Sequence, residues 1–166
     1  MKHLFLLAAV GCVLLSSCSS VTLDKGVANG AAVGDDVPRG IYFIDADGND
    51  IVSQTFYSGD HLLVFFSTKC GDCRQELPIL QRLYDDYRDR VSFYLIDERD
   101  SYSDVSAYFE SQGLTMPFVI SDKSFHYDVL SKSGRIPTCW FIRDGVIVGK
   151  WLDSPIMTEE DFCGLL

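Results

Sequence analysis

Runs of apolar residues alternate with periodic polar segments along this chain, and the alternation predicts its elements. His61-Leu62-Leu63-Val64-Phe65-Phe66 is apolar at every position after the first and stops at Ser67-Thr68, the pattern of a strand covered on both faces. Beyond Cys73, Leu80, Leu83 and Tyr84 recur among Gln81, Arg82, Asp85, Asp86 and Arg88, a helical period that runs to about Arg88. Pro78 falls inside it and predicts a kink, because proline removes one helical hydrogen bond. Val91 to Ile96 reads as a second buried strand. Ser101, with Asp104 three residues on, predicts a capped helix that buries Val105, Tyr108 and Phe109 and stops at Gly113. Phe118-Val119-Ile120 is a third strand, and a further helix is expected near Phe125 to Lys132. Thr138 to Ile142 and Val146 to Trp151 flank Asp144-Gly145, a strong two-residue hairpin signal. Upstream, Ile41 to Ile44 and Ile51-Val52 flank a polar turn in which Gly48 supplies a positive φ. The order implies an α/β fold, a central mixed sheet with helices on both faces.

The ends read differently. Lys2 precedes an apolar stretch from Leu4 to Leu15, followed by Ser16, Ser17 and Cys18, the layout of a secretory signal. Twelve apolar residues are too few to span a hydrocarbon core, which takes roughly twenty. Leu15-Ser16-Ser17-Cys18 resembles the lipobox of bacterial lipoproteins, which makes Cys18 the expected lipidation site. The alternative is a plain signal peptide cut nearby. The organisation expected is a signal over residues 1–17, a Ser-, Gly- and Asp-rich tether over 18–37, and one domain over 38–166. A lipid on Cys18 would hold that domain to a membrane surface without any spanning helix. The 24 acidic residues against 14 basic ones, a net charge of −10, argue against a nucleic-acid partner and read as mostly solvated surface. Asp45, Asp47 and Asn49 have the spacing of a calcium loop. The Gly that such a loop needs at position 6 is Asp50, and its position-12 Glu is Phe56.

Cys70-Gly71-Asp72-Cys73 lies where the buried strand passes into the amphipathic helix. A thiol at a helix N-terminus faces unpaired N–H groups and the positive end of the helix dipole, which favour thiolate. Two intervening residues bring the second sulfur within reach of the first. A zinc site would need two more soft ligands, and His61, His126, Cys139 and Cys163 are not paired locally. A structural staple over so short a loop removes little chain entropy. The redox reading is therefore the best of the three, and it requires neither cofactor nor metal.

With these elements in order, the sequence resembles the thioredoxin superfamily, and within it the membrane-tethered TlpA/ResA-like thiol-disulfide oxidoreductases, over roughly Gly40 to Trp151. The resemblance implies a thioredoxin-like fold with an N-terminal β-hairpin and an inserted helix–strand unit around Ser103 to Ile120. It implies that Pro137, in Arg135-Ile136-Pro137-Thr138, is a cis-proline facing the disulfide, and that the Ile136 backbone pairs with an extended substrate segment. It also makes Glu76, three residues after Cys73 on the same helical face, a candidate proton acceptor for Cys73. Read without the family, Glu76 is a solvated first-turn acid and Pro137 an ordinary trans turn.

Two positions depart from the family pattern. Lys69 stands where Trp is common, which makes it a candidate substrate contact, and Asp72 replaces the usual Pro. Their charges act on Cys70 with opposite signs. The function expected is disulfide exchange with extracytoplasmic proteins in the bacterial cell envelope, facing the periplasm or exterior. Cys70 attacks, Cys73 resolves, and a membrane thiol donor supplies electrons, so that reduction is the favoured direction. The alternatives are a copper chaperone on the same fold, although the loop Ser131 to Ile136 lacks the expected His, and a peroxiredoxin-type peroxidase, whose Pro-x-x-x-Thr-x-x-Cys signature is absent. Cys139 and Cys163 are read as a core thiol and a partly exposed one, with a second disulfide as the minority option.

Overall fold

The computed structural model describes residues 30–121, 134–152 and 157–166. The signal, Cys18, most of the tether, His126 and the helix expected near Phe125 to Lys132 lie outside the described residues. Among the described residues no helix is long and apolar enough to cross a membrane.

Among the described residues there are seven strands and three α-helices, and all but the last helix stand in the expected order. An antiparallel hairpin pairs β1 (Tyr42–Ile44) with β2 (Asp50–Val52). A 3-10 helix (Ser53–Tyr57) then leads into β3 (Asp60–Phe66) and α1 (Gly71–Tyr87). Next come β4 (Val91–Asp97), α2 (Tyr102–Gln112) and β5 (Phe118–Ile120). The chain closes with β6 (Thr138–Arg143), β7 (Val146–Leu152) and α3 (Glu159–Cys163). The main sheet has the order β5-β4-β3-β6-β7. Strands β3, β4 and β5 run parallel, and β6 and β7 add antiparallel on the other side. Helix α1 runs from Gly71 to Tyr87 through Pro78. The Asp144-Gly145 turn closes β6 to β7 with both residues at positive φ, 48° and 85°, the conformation that its sequence favours.

Strand β3 is buried from His61 to Phe66 because both of its faces are covered. Leu62, Val64 and Phe66 point to a core shared with Leu77, Leu80 and Leu83 of α1, Val105 and Phe109 of α2, and Phe162 of α3. Leu63 and Phe65 point to the opposite core, filled by Phe43, Ile51, Phe56, Trp140 and Ile147. Among the described residues, then, helices α1 to α3 pack on one face, and the hairpin and 3-10 helix cover the other. Ser101 caps α2 by accepting from the Asp104 N–H at 3.2 Å, and Gly113 ends it at φ 66°. Tyr108 packs at the margin of the core and is half-buried.

Two features differ from expectation. Residues 31–37, assigned above to the tether, lie along the outer edge of β7. Gly34 N–H donates to the Ile147 carbonyl at 2.8 Å, Ile147 N–H to Asp35 at 2.9 Å, and Val37 N–H to Gly145 at 2.7 Å. Val37 is buried, and the Lys150 ammonium, seated 4.5 Å over the Trp140 ring, donates to the Ala31 carbonyl at 3.1 Å. This strap is held by its backbone, so its Gly- and Asp-rich composition conceals it. Helix α3 was also not foreseen. Thr158 and Asp161 cap it reciprocally, and Phe162 anchors it.

Candidate active site

The site forms at the carboxyl ends of the parallel strands β3 and β4, where open α/β sheets leave a crevice for ligands. Cys70 is the N-cap of α1, in extended conformation, and its sulfur accepts from the Cys73 N–H at 3.4 Å. The same sulfur lies 3.8 Å from the Ile136 carbonyl oxygen, and the Ile136–Pro137 peptide bond is cis. The trans-turn reading of Pro137 is thereby corrected. Cys70 is half-buried, whereas Cys73 is 1% exposed. Burial and the hydrogen bond to Cys70 push the Cys73 thiol well above the ordinary thiol range. The two sulfurs are therefore unequal: one can be reached, and the other is covered and held as a thiol.

Glu76 is 3% exposed, so it is not a solvated first-turn acid. It shares the inward face of α1 with Cys73, and its charge acts on the Cys139 thiol, which complete burial raises far above the usual range. Cys139 sits in β6 opposite Val64. Cys139 and Cys163 are both free thiols: Cys139 is a core residue, and Cys163 is exposed with its sulfur 3.1 Å from the Tyr87 hydroxyl.

Lys69 does not reach toward the sulfur. Its ammonium pairs with Asp100 at 2.8 Å and lies 3.7 Å from Asp104. Asp100, fully buried at its side chain, was missed by the sequence reading, as was Asp97. Asp100 Oδ2 accepts from Ser67 Oγ at 2.8 Å, Thr68 N–H at 2.8 Å and Thr68 Oγ1 at 2.9 Å. Asp97 Oδ1 accepts the N–H groups of Arg99 and Asp100, both at 2.8 Å. Burial alone would raise the Asp100 carboxyl; the hydrogen bonds from Lys69, Ser67 and Thr68 outweigh it and hold it well below the usual range. Burial raises Asp97. Glu76, Asp97, Glu98 and Asp100 are all buried, which corrects the view of the acidic residues as solvated surface at this end of the sheet. The signal available in sequence was position: Asp97 ends a buried parallel strand and Asp100 follows it three residues on.

The structure thus brings together Cys70, Cys73, Ile136 and Pro137, with Glu76 beneath and Lys69 turned aside. Among the described residues no three His, Cys, Asp or Glu side chains are grouped so that they could hold a metal. The chain is 32% identical over 92 residues to the thioredoxin-like protein YneN of Bacillus subtilis, a match that spans about half of that protein, 52%, and 52% of this chain. It is 25% identical over 170 residues to the thiol-disulfide oxidoreductase ResA of Bacillus thuringiensis, covering 99% of this chain and 96% of that protein. The thioredoxin domain of a thiol-disulfide oxidoreductase from Bacteroides vulgatus superposes with a TM-score of 0.64 at 23% identity, covering 81% of this chain and 96% of the other, and so shares the fold. The AhpC/TSA family profile matches residues 33–150, and with the cis-proline, the half-buried Cys70, the buried Cys73 and strands β3 to β6 all inside that span, the chain belongs to the AhpC/TSA family and has its thioredoxin-like fold.

Proposed function

We propose that this protein is a thiol-disulfide oxidoreductase that reduces disulfides in extracytoplasmic proteins through the Cys70/Cys73 couple. The observation that carries the reading is the inequality of the two sulfurs beside the Ile136 carbonyl. Cys70, as thiolate, attacks one sulfur of a substrate disulfide; the S–S bond breaks, the substrate's other sulfur leaves as thiolate, and a mixed disulfide forms. Cys73 then gives its proton to Glu76 and attacks the Cys70 sulfur. The second substrate thiolate departs, two electrons have passed to the substrate, and Cys70 and Cys73 are joined. The Ile136 backbone and Pro137 flank the incoming segment, and Lys69 lies at its margin. A membrane thiol donor returns the couple to the dithiol state. Cys18, lipidated, would keep the domain at the bacterial cell envelope, on the periplasmic or outer side.

The test is capture. Cys73→Ser should accumulate mixed disulfides with client proteins through Cys70, and Cys70→Ser should not. Equal trapping by Cys70→Ser would overturn the assignment of roles. The equilibrium potential of the couple against glutathione decides direction: a value at or below roughly −270 mV fits a reductase, and one near −120 mV fits an oxidant. Stoichiometric Cu(I) binding in competition with a chelator, without disulfide exchange, would replace this reading with a copper carrier.

A further inference from the structure

The loop Ser67–Lys69, from which the nucleophile hangs, is held by one buried carboxylate thirty-odd residues away in sequence. The two oxygens of Asp100 have separate tasks. Oδ2 gathers the three donors from Ser67 and Thr68, and Oδ1 takes the Lys69 ammonium at 2.8 Å. Around that anchor the loop is braced at every step. Lys69 N–H donates to Ser67 Oγ at 3.1 Å, Cys70 N–H to the Ser67 carbonyl at 3.1 Å, and Arg74 Nε to the Thr68 carbonyl at 2.6 Å. Asp97 holds the Asp100 N–H from below. A buried carboxylate accepting several donors is expensive to break because its partners are left unsatisfied. A bound oxygen this well served is a fixed point.

We propose that Asp100 is a positioning residue for Cys70: Oδ2 fixes the loop that aims the sulfur at the substrate disulfide, and Oδ1 holds the Lys69 ammonium so that the charges flanking the nucleophile balance. This rests on Cys70 being the attacking sulfur. The residue placed where the family has Trp is in this chain one half of a charge pair, and its counter-charge is built into the neighbouring strand end.

The split between the oxygens makes the two tasks separable. Asp100→Asn keeps an oxygen for Ser67 and Thr68 and removes the ion pair, whereas Asp100→Ala removes both. The readouts are the pH profile of iodoacetamide alkylation of Cys70 in the reduced full-length protein and the rate of insulin disulfide reduction divided by the ionised fraction. The other titratable and charged groups at this end, Asp72, Cys73, Arg74 and Glu76 of α1, Asp97 at the end of β4, Glu98 and Arg99 after it, Asp104 of α2 and Arg135, are common to all variants. Asp100→Asn should lower the alkylation midpoint by about half a unit, Lys69→Gln should raise it by about as much, and the double variant should return it close to the starting value. Insulin reduction per thiolate should hold in Asp100→Asn and fall about tenfold in Asp100→Ala. Shifts of the same sign, no shift, or equal rates in the Asn and Ala proteins would overturn the proposal. Should Asp100→Ala not fold, Thr68→Val, which deletes one Oδ2 donor, takes its place with a fall of about threefold, and an unchanged rate there counts against the proposal. Cys70→Ser separates the failures: if it still reduces insulin, the reading of the nucleophile is wrong, and if it is inactive while the midpoints stay fixed, the role of Asp100 alone is wrong.

Discussion

Replacing Phe162 by Ala tests whether a five-residue terminal helix belongs to the cooperative core. Phe162 is completely buried, and its ring meets Tyr87, Phe141 and Phe93 at centroid distances of 5.1, 5.6 and 6.1 Å. It is the buried residue of α3, so the whole element docks through it. Removing a buried Phe from such a cluster costs about 4 kcal/mol, the lost transfer term plus the space left behind. For a domain of roughly 130 residues the unfolding entropy near the midpoint is about 0.27 kcal/mol per degree, which turns that cost into a fall in Tm of about 15 °C. Phe162→Leu keeps most of the apolar volume and should lose about 1 to 2 kcal/mol. Urea unfolding monitored by circular dichroism, with calorimetry alongside, measures both variants, and unchanged m-values would show that the comparison is between like states. A loss below about 1.5 kcal/mol for Phe162→Ala, or equal losses for Ala and Leu, would show that α3 is an appendage outside the cooperative core.

Three further outcomes are expected. Glu76→Gln should leave attack by Cys70 intact and slow the resolving step by about a hundredfold or more, seen as a mixed disulfide that persists in acid-quenched samples; resolution at an unchanged rate would remove Glu76 from the mechanism. Gly149→Ala should cost about 1 to 3 kcal/mol, because a Cβ there would run into the Trp151 ring and lie 3.1 Å from Leu165, and a Tm within two degrees of the parent would contradict the packing described. The carboxyl of Asp100 is held below its usual 3.8, so its contribution to stability is present above that pH and is lost as pH falls below it, whereas the raised Asp97 carboxyl acts with the opposite sign. The stability gap between the parent protein and Asp100→Asn should therefore narrow as pH drops from 6 to about 2.5 in thermal melts, and a gap that widens would reverse the sign assigned to Asp100.

What the sequence made legible was whatever it encodes locally. The apolar run of β3, the period of α1, the Ser101 cap and the Asp144-Gly145 turn each specify their own geometry within a few residues, and each forms as expected. The position of the Cys70-x-x-Cys73 pair at a helix start follows from the same local pattern. What stayed hidden was specified by distant partners. Nothing in Asp97-Glu98-Arg99-Asp100 announces that the last carboxylate closes on Thr68, 32 positions earlier. Read without the family resemblance, Glu76 is a surface acid, because helix position alone does not tell which face the sheet will cover. The strap of residues 31–37 has no apolar residue larger than Val33 and Val37, and much of its ordering comes from backbone groups that every sequence carries. Helix α3 lay within reach, since Thr158 and Asp161 have capping-box spacing, but its five residues are too few for periodicity to register.

That strap has a consequence for how the protein behaves among its neighbours. The outermost strand of a sheet exposes a row of unsatisfied N–H and C=O groups that another chain can annex, and such annexation is a route to aggregation. Here residues 34–37 occupy the start of that row on β7, and at the far rim β5 offers three residues. If the proposed function holds, a chain that receives extended segments from other proteins thus keeps its own sheet margins guarded against copies of itself.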